Sequence, residues 1–262
     1  MTTSRRDFIK KAGLMGLAAI TIPKIILAND FVKPNEEINK GKGLTFLFQG
    51  DSVTDGNRTR DKDWNHIMGH GYVYLISSRL WFDYPQNNLM FYNRGNGGNR
   101  ISDLEARWQT DSLDLKPDVI SILIGINDIM GIEKNDDQVS IVKFEESYKR
   151  ILDKTKAALP NTQIVLCEPF IMPMGWSKEK TEISLNAIRK MQLIVRRLAK
   201  TYNAIFVELQ EPFNQACKKF PGSYWIWDGV HPMPAGHELI ARQWVKAVSK
   251  KYSFIKKTDF PL

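Results

Sequence analysis

The chain has 262 residues, enough for one large domain, and its 43% hydrophobic and 25% charged residues are typical of a globular protein. Half of the formal net charge of +8 lies in residues 1–28, so the rest of the chain is only mildly basic. The chain has no run of lysines and arginines that could follow a phosphate backbone, so we do not expect nucleic acid as a partner.

Residues 1–28 have the pattern of an export signal. Arg5 and Arg6 come before an uncharged stretch at 12–23. Twelve residues are too few to cross a bilayer, which needs about 20, whereas a charged front followed by a short apolar middle is typical of a signal segment. The stretch "SRRDFIK" resembles a twin-arginine signal. We therefore expect a periplasmic or secreted protein that is cleaved after Ala28. The alternative is an uncleaved signal that anchors the protein, and no other contact with a membrane is expected.

A polar linker with proline and glycine, residues 29–43, leads into a single domain at 44–262. Five short apolar runs in this domain predict strands at 44–48, 89–93, 118–125, 163–170 and 204–209. The amphipathic stretches between and after them predict helices at 71–82, 101–108, 144–160, 182–202 and 235–252. The apolar runs do not alternate with polar residues, which favours strands covered on both faces. The predicted fold class is therefore α/β, a doubly wound parallel sheet with right-handed crossovers.

The first predicted strand ends at Gly50-Asp51-Ser52. These are ordinary strand-ending residues, and taken alone they indicate a turn. In an open α/β sheet, however, ligands bind beyond the carboxyl ends of the strands. The loops after the first three strands should meet at that edge, and they carry Ser52, Gly98 and Asn127.

A serine nucleophile needs a histidine that takes its proton and a carboxylate that holds the histidine. Of the four histidines, His231 follows Asp228 by three residues across a tight segment that contains Gly229. Pro232 restricts His231 to extended geometry, which points its ring out of the loop. The alternative for Asp-x-x-His alone is a surface loop in which Asp228 caps the next helix.

Acyl transfer also needs hydrogen-bond donors aimed at the developing oxyanion. The segment "NRGNGGNR" at 93–100 offers backbone N–H groups, and "GIND" at 125–128 offers the side-chain amide of Asn127. The alternatives are a phosphate-binding loop or plain turns. The first segment lacks the Gly-x-Gly-x-x-Gly spacing of a dinucleotide site, and the chain has no Walker-type Gly-Lys-Ser/Thr.

Together these segments form one ordered set that resembles the SGNH/GDSL hydrolase family over residues 44–250, with Val53 where the family's first block has leucine. The resemblance implies a flavodoxin-like, five-stranded, three-layer fold and an esterase that needs no cofactor and no metal. The implied triad is Ser52, Asp228 and His231. The implied oxyanion hole consists of the N–H groups of Ser52 and Gly98 and the side chain of Asn127. The resemblance favours Gly98 over Gly97, because Gly98 stands five residues after Asn93, as in the family's Asn-x-x-x-x-Gly pattern.

The expected substrate is a short-chain ester, in particular an acetyl ester on a carbohydrate. Trp176, Trp225 and Trp227 are the candidate sugar-stacking residues, although for any one of them taken singly a role in the core or its cover is favoured. The main alternative is a lysophospholipase or other lipid esterase, against which the sequence shows no long apolar lid. A non-catalytic binding protein that kept the fold is a further alternative, disfavoured by the complete set of five catalytic positions.

Two further predictions concern metals and thiols. Metal-dependent hydrolysis through Asp61, Asp63, His66 and His70 is disfavoured, because glycine interrupts the segment and no glutamate follows the first histidine. Cys167 and Cys217 are expected to be unpaired thiols. The residues indicate no oligomeric state.

Overall fold

The computed structural model describes residues 43–61, 65–129, 137–175 and 182–255. Residues 41–262 form one compact unit. The predicted export signal, nearly all of the predicted linker, Asp63 and Trp176 lie outside the described residues. Across the described ranges, no helix has both the length and the apolar character that a bilayer crossing requires.

Five strands form a single parallel sheet, and their order across the sheet is β2-β1-β3-β4-β5. The strands are β1 (Thr45–Gly50), β2 (Met90–Asn93), β3 (Val119–Leu123), β4 (Gln163–Cys167) and β5 (Ile205–Val207). This is the flavodoxin-like order, in which the chain reverses direction across the sheet at β1 and β3. The predicted doubly wound fold is therefore confirmed, and all five strands lie where the apolar runs predict them.

Nine described α-helices surround the sheet. They are α1 (Ser52–Asp55), α2 (Tyr72–Asp83), α3 (Ile101–Ala106), α4 (Trp108–Asp111), α5 (Asp137–Ala158), α6 (Glu182–Thr201), α7 (Gln210–Lys219), α8 (Gly222–Trp225) and α9 (Pro234–Val248). Three 3₁₀ turns complete the described elements: Pro85–Asn87, Leu113–Leu115 and Asn127–Ile129. Helix α5 begins seven residues before its predicted start, and α4 extends past the predicted end at residue 108. Helices α1, α7 and α8 are absent from the predicted helices.

The inner strand β1, which lies between β2 and β3, shows how the two layers of helices are held. Every residue of β1 is buried. On one face, Phe46 and Phe48 pack edge-on or tilted against Trp244 of α9. On the other face, the amide of Gln49 donates to Ser112 Oγ at 2.8 Å. Each fully buried large apolar side chain contributes about 1.5–3 kcal/mol relative to exposure, so the sheet is a rigid platform for the loops at its carboxyl edge.

Candidate active site

Ser52 is the first residue of α1, directly after β1. The side chain of Asp51 caps this short helix by accepting a hydrogen bond from the Val53 N–H at 3.0 Å. Gly50 is required before it, because a Cβ at this position would lie 2.2 Å from Thr54 Oγ1 and 2.3 Å from the Leu123 carbonyl oxygen. The sharp turn from strand into helix leaves the Ser52 side chain partly exposed at the sheet edge.

His231 and Asp228 come together with Ser52 across 179 residues of chain. Ser52 Oγ lies 2.9 Å from His231 Nε2, and His231 Nδ1 lies 2.6 Å from Asp228 Oδ2. The other carboxylate oxygen, Oδ1, accepts from the backbone N–H groups of Val230 and His231 at 2.9 and 2.7 Å. The structure thus brings the three predicted triad residues into one hydrogen-bonded line.

The Asp228 carboxylate is held in its charged form. Burial acts to raise its pKa, but the hydrogen bonds that it accepts from His231 and Val230 outweigh burial and keep the pKa below its ordinary value. A carboxylate in this position fixes the proton of His231 on Nδ1, which leaves Nε2 free to accept the serine proton.

The glycine loop after β2 lies beside Ser52. The Gly97 N–H donates to Asp55 Oδ2 at 3.1 Å, whereas neither the Gly98 N–H nor the Ser52 N–H has a hydrogen-bond partner among the described residues. Gly98 has a φ of +78°, and a Cβ there would meet nothing within 4 Å. The positive φ therefore favours glycine at position 98, whereas the space beside it is open and would admit a side chain.

Asn127 lies in the turn after β3, and its side-chain amide donates to the Asn99 carbonyl at 3.1 Å. This bond uses one of the two amide protons and leaves the other available. The next residue, Asp128, accepts from the Ile101 N–H at 3.2 and 3.3 Å. The turn that carries Asn127 is thereby tied to the start of α3, at the end of the glycine loop.

Two buried carboxyl groups lie beneath these loops. Burial raises the pKa of Asp51 to about 7, with a smaller contribution from Asp128, and burial likewise raises the pKa of Asp128 to about 7. Asp51 caps α1, and its carboxyl group makes no hydrogen bond to His231 in the described structure.

The predicted sugar-stacking tryptophans lie in different surroundings. The ring of Trp227 stacks beside that of His231 at 6.1 Å, and the residue is 63% exposed. Trp225 instead lines a cavity of about 270 Å³ between α7, α8 and α9, together with Tyr224 and Leu239. Of the predicted stacking residues within the described ranges, Trp227 alone is placed next to His231.

The thiols and the candidate metal ligands stand apart from this site. Cys167 and Cys217 are free, as predicted, and burial raises the pKa of Cys167 to about 12. Within the described ranges no three histidine, cysteine, aspartate or glutamate side chains form a metal-binding group.

The sequence is similar to known proteins that are ester hydrolases. The sequence profile of the GDSL-like lipase/acylhydrolase family matches residues 48–239. The chain belongs to the SGNH/GDSL hydrolase family. A curated relative, an acetylxylan esterase of Geobacillus stearothermophilus, is 31% identical over 214 residues, which cover 79% of this chain and 95% of that protein. As a member of this family, the protein is a carboxylic ester hydrolase.

Solved structures of SGNH/GDSL hydrolases share the fold. A GDSL-like protein of Parabacteroides merdae superimposes with a TM-score of 0.72 at 36% identity, covering 81% of this chain and 98% of that chain. A catalytic mutant of the acetylxylan esterase Axe2 from G. stearothermophilus has a TM-score of 0.70 at 29% identity, covering 79% of this chain and 95% of that chain.

Sequence reasoning missed Asp55, which joins three parts of the site. Its carboxylate accepts from the Gly97 N–H, from the Arg58 N–H and from the guanidinium of Arg60. The sequence offers only a carboxylate three residues after Ser52, and it gives no means of identifying a partner 42 residues away.

Proposed function

We propose that the protein is a serine esterase that removes short acyl groups, chiefly acetyl, from carbohydrate through a Ser52-His231-Asp228 triad. The observation that carries this proposal is the continuous line of contacts from Ser52 Oγ to His231 Nε2 and from His231 Nδ1 to Asp228 Oδ2. A hydroxyl, an imidazole and a carboxylate in this order are the parts of nucleophilic acyl transfer.

The reaction proceeds in two halves. Ser52 Oγ attacks the ester carbonyl carbon while His231 Nε2 takes the hydroxyl proton, and the imidazolium is stabilised by Asp228. The tetrahedral intermediate expels the sugar oxygen, which receives the proton from His231, and an acetyl-serine remains. Water then gives its proton to His231 and attacks the acetyl carbonyl, which releases acetic acid and restores Ser52.

The oxyanion of each intermediate is assigned to three donors: the N–H groups of Ser52 and Gly98 and the amide of Asn127. The two N–H groups have no hydrogen-bond partner in the described structure, which supports their assignment. Gly97, the alternative to Gly98, already donates to Asp55. Each preorganised donor contributes about 3 kcal/mol to the stabilisation of the transition state.

Two observations support a carbohydrate ester as substrate. One relative that the chain matches over most of both lengths is an acetylxylan esterase. The exposed indole of Trp227 lies beside His231, where an aromatic face is suited to packing against a sugar ring.

The direct test is acetate release from acetylated xylo-oligosaccharides. We expect saturable release by the wild type and none above background by Ser52→Ala, while the control Ser249→Ala retains full activity. Ser249 is suitable because its hydroxyl bonds to the Lys246 carbonyl at the end of α9, away from the site. Turnover by Ser52→Ala would refute the serine mechanism.

The lipid-esterase alternative differs in its dependence on acyl length. With 4-nitrophenyl esters, the proposal predicts kcat/KM to be highest for acetate and to fall steeply as the chain lengthens. A preference for chains of eight carbons or more would instead assign the protein to lipid substrates.

We also propose export through the segment that contains Arg5 and Arg6. Expression with both arginines replaced by lysine should keep the protein in the cytoplasmic fraction, whereas the unaltered chain should reach the periplasm or medium. Equal export of both forms would refute a twin-arginine route.

A further inference from the structure

A second cavity lies beside the edge strand β2, on the same side of Ser52 as the glycine loop. Its volume is about 390 Å³. Part of its wall is apolar and includes Ile67, Met90 and Tyr92. The cavity therefore offers a hydrocarbon surface as well as the charged groups described below.

Three arginines line this cavity, and Asp61 is the acidic residue among the described lining residues. Arg58 donates to the Gly95 carbonyl at 3.0 Å, and Arg60 is paired with Asp55. Arg94 has no ion pair with any described carboxylate; its guanidinium lies over the Tyr92 ring, 5.7 Å from the centroid. Burial, and next the charge of Arg60, lower the pKa of Arg58, which shows how crowded the positive charges are.

Two polar atoms at the cavity are left without partners. Arg94 Nε and Thr59 Oγ1 are both buried, and neither has a hydrogen-bond partner among the described residues. A buried donor without an acceptor costs about 1–3 kcal/mol. Both residues line the cavity, so a small shift of either side chain would let an anionic oxygen bound there supply the missing partner.

The opposite edge of the sheet shows how such an arginine is ordinarily satisfied. Arg196 lies over the ring of Phe206 in β5, 4.4 Å from the centroid. Unlike Arg94, it also contacts two carboxylates, Glu208 at 2.7 Å and Glu168 at 3.5 Å. Arg94 has the same stacking on an edge strand without the carboxylates, so its planar guanidinium is available for an external carboxylate or sulfate.

The cavity is connected to the catalytic serine through short contacts. Arg60 Nη2 lies 2.5 Å from Asp55 Oδ2. A Cβ placed on Gly97 would lie 3.9 Å from that oxygen and 3.9 Å from Ser52 Cβ. Asp55 and the glycine loop therefore link the arginine-lined cavity to Ser52. We expect an oligosaccharide whose ester is bound at Ser52 to extend over this link toward the arginines.

We propose that this cavity is a subsite for an anionic substituent of the substrate, a uronate carboxylate or a sulfate ester on a sugar near the acetylated one. The proposal rests on the carbohydrate esterase function proposed above. The guanidinium of Arg94 and the hydroxyl of Thr59 bind the anionic oxygens, and Tyr92 and Ile67 contact the hydrocarbon face of the ring. The protein therefore selects acetylated oligosaccharides that carry negative charge.

The test compares kcat/KM on three acetylated oligosaccharides of equal length: one neutral, one with a glucuronate side group and one with a sulfate ester. We expect the wild type to prefer at least one charged substrate to the neutral one. In Arg94→Gln this preference should fall about tenfold, the effect of one charge-assisted hydrogen bond. The charged substrate that is preferred identifies the anion.

Arg196→Gln is the matched control, because it removes an arginine stacked on the other edge strand. It should keep the wild-type preference for the charged substrate. Equal rates of the wild type on all three substrates, or an equal loss of preference in both variants, would overturn the subsite.

A binding measurement separates this proposal from the proposed function. Calorimetric titration of the wild type with methyl glucuronide, and with a sulfated monosaccharide, requires no turnover. Saturable binding of either sugar that is lost in Arg94→Gln supports the subsite even if no carbohydrate is deacetylated, and failure of both sugars to bind contradicts it. Absence of acetate release from every carbohydrate would refute the proposed function alone.

Discussion

The two sides of Ser52 are built in different ways. On the histidine side, Asp228 receives its hydrogen bonds from Val230 and His231, all within one short loop. On the oxyanion side, the supporting bonds join residues 27 to 42 positions apart, such as Gly97 to Asp55. The bonds that orient His231 are therefore made within one loop, whereas the bonds that support the oxyanion side require the assembled sheet edge.

This difference predicts different consequences of mutation. Changes on the histidine side should remove the proton transfer and leave the fold intact. Changes on the oxyanion side should either remove a donor or shift the loop that carries one, with smaller losses of activity. The predictions that follow run from the largest expected effect to the smallest.

Apart from replacement of Ser52 itself, Asp228→Asn should have the largest effect on activity of any single substitution. The amide no longer holds the Nδ1 proton of His231, so the imidazole is lost as a base for Ser52. By analogy with other Ser-His-Asp enzymes, we expect kcat on 4-nitrophenyl acetate to fall about 10⁴-fold. Asp153→Asn is the matched control, because Asp153 is exposed and its carboxylate accepts from the Tyr202 hydroxyl at 2.7 Å. Retention of activity by Asp228→Asn would show that the carboxylate does not orient the base.

Asn127→Ala removes one oxyanion donor without touching the triad. We expect kcat to fall about 10²–10³-fold, since the amide acts on charge that develops in the transition state. KM should change little. Steady-state kinetics on 4-nitrophenyl acetate measure both, with Asn186→Ala on the exposed face of α6 as the control. A rise in KM at constant kcat would place Asn127 in ground-state binding instead.

Asp55→Ala should act through the position of the glycine loop. Without the carboxylate, the Gly97 N–H loses its acceptor and the neighbouring Gly98 is no longer fixed. We expect kcat to fall about tenfold, because small displacements of positioned groups are costly. Asp55→Asn keeps an acceptor oxygen for Gly97 and should recover most of this loss. Equal losses in the two variants would indicate that the ion pair with Arg60, and not the bond to Gly97, is what matters.

The smallest expected effect is on stability, and it comes from the buried carboxyl group of Asp51. Burial raises the pKa of Asp51 to about 7, so between its ordinary pKa and that value the folded protein retains a proton that the unfolded chain releases. The free energy of unfolding therefore contains a contribution that falls as pH rises through this window and is constant above it. Asp51→Asn should reduce the fall in Tm between about pH 4 and about pH 7. Thermal melts at the two pH values measure this, and identical pH dependence in variant and wild type would contradict it.

Much of the fold is predictable from the sequence because it depends on local patterns. The five apolar runs predict the strands, and Gly50-Asp51-Ser52 marks the end of β1. Helix α7 is not predicted, because Pro212 interrupts its pattern, although proline is tolerated in the first turn of a helix.

The parts of the site that depend on local sequence patterns are likewise predictable, and the other parts are not. His231 and Asp228 are close in the sequence, so their pairing is predictable. The bond between Asp55 and Gly97 and the arginine-lined cavity depend on contacts between distant segments, and no local pattern reveals them. The separation of Trp227 from Trp225 likewise depends on which way each side chain leaves α8 and the loop after it.

The central claim is that Ser52 forms a covalent bond with the acyl group. Reaction with a fluorophosphonate, followed by peptide mass spectrometry, tests it most directly. We predict a single phosphonylated residue, Ser52, and loss of esterase activity in proportion to labelling. Modification of a different residue, or full activity with Ser52 completely labelled, would contradict the account.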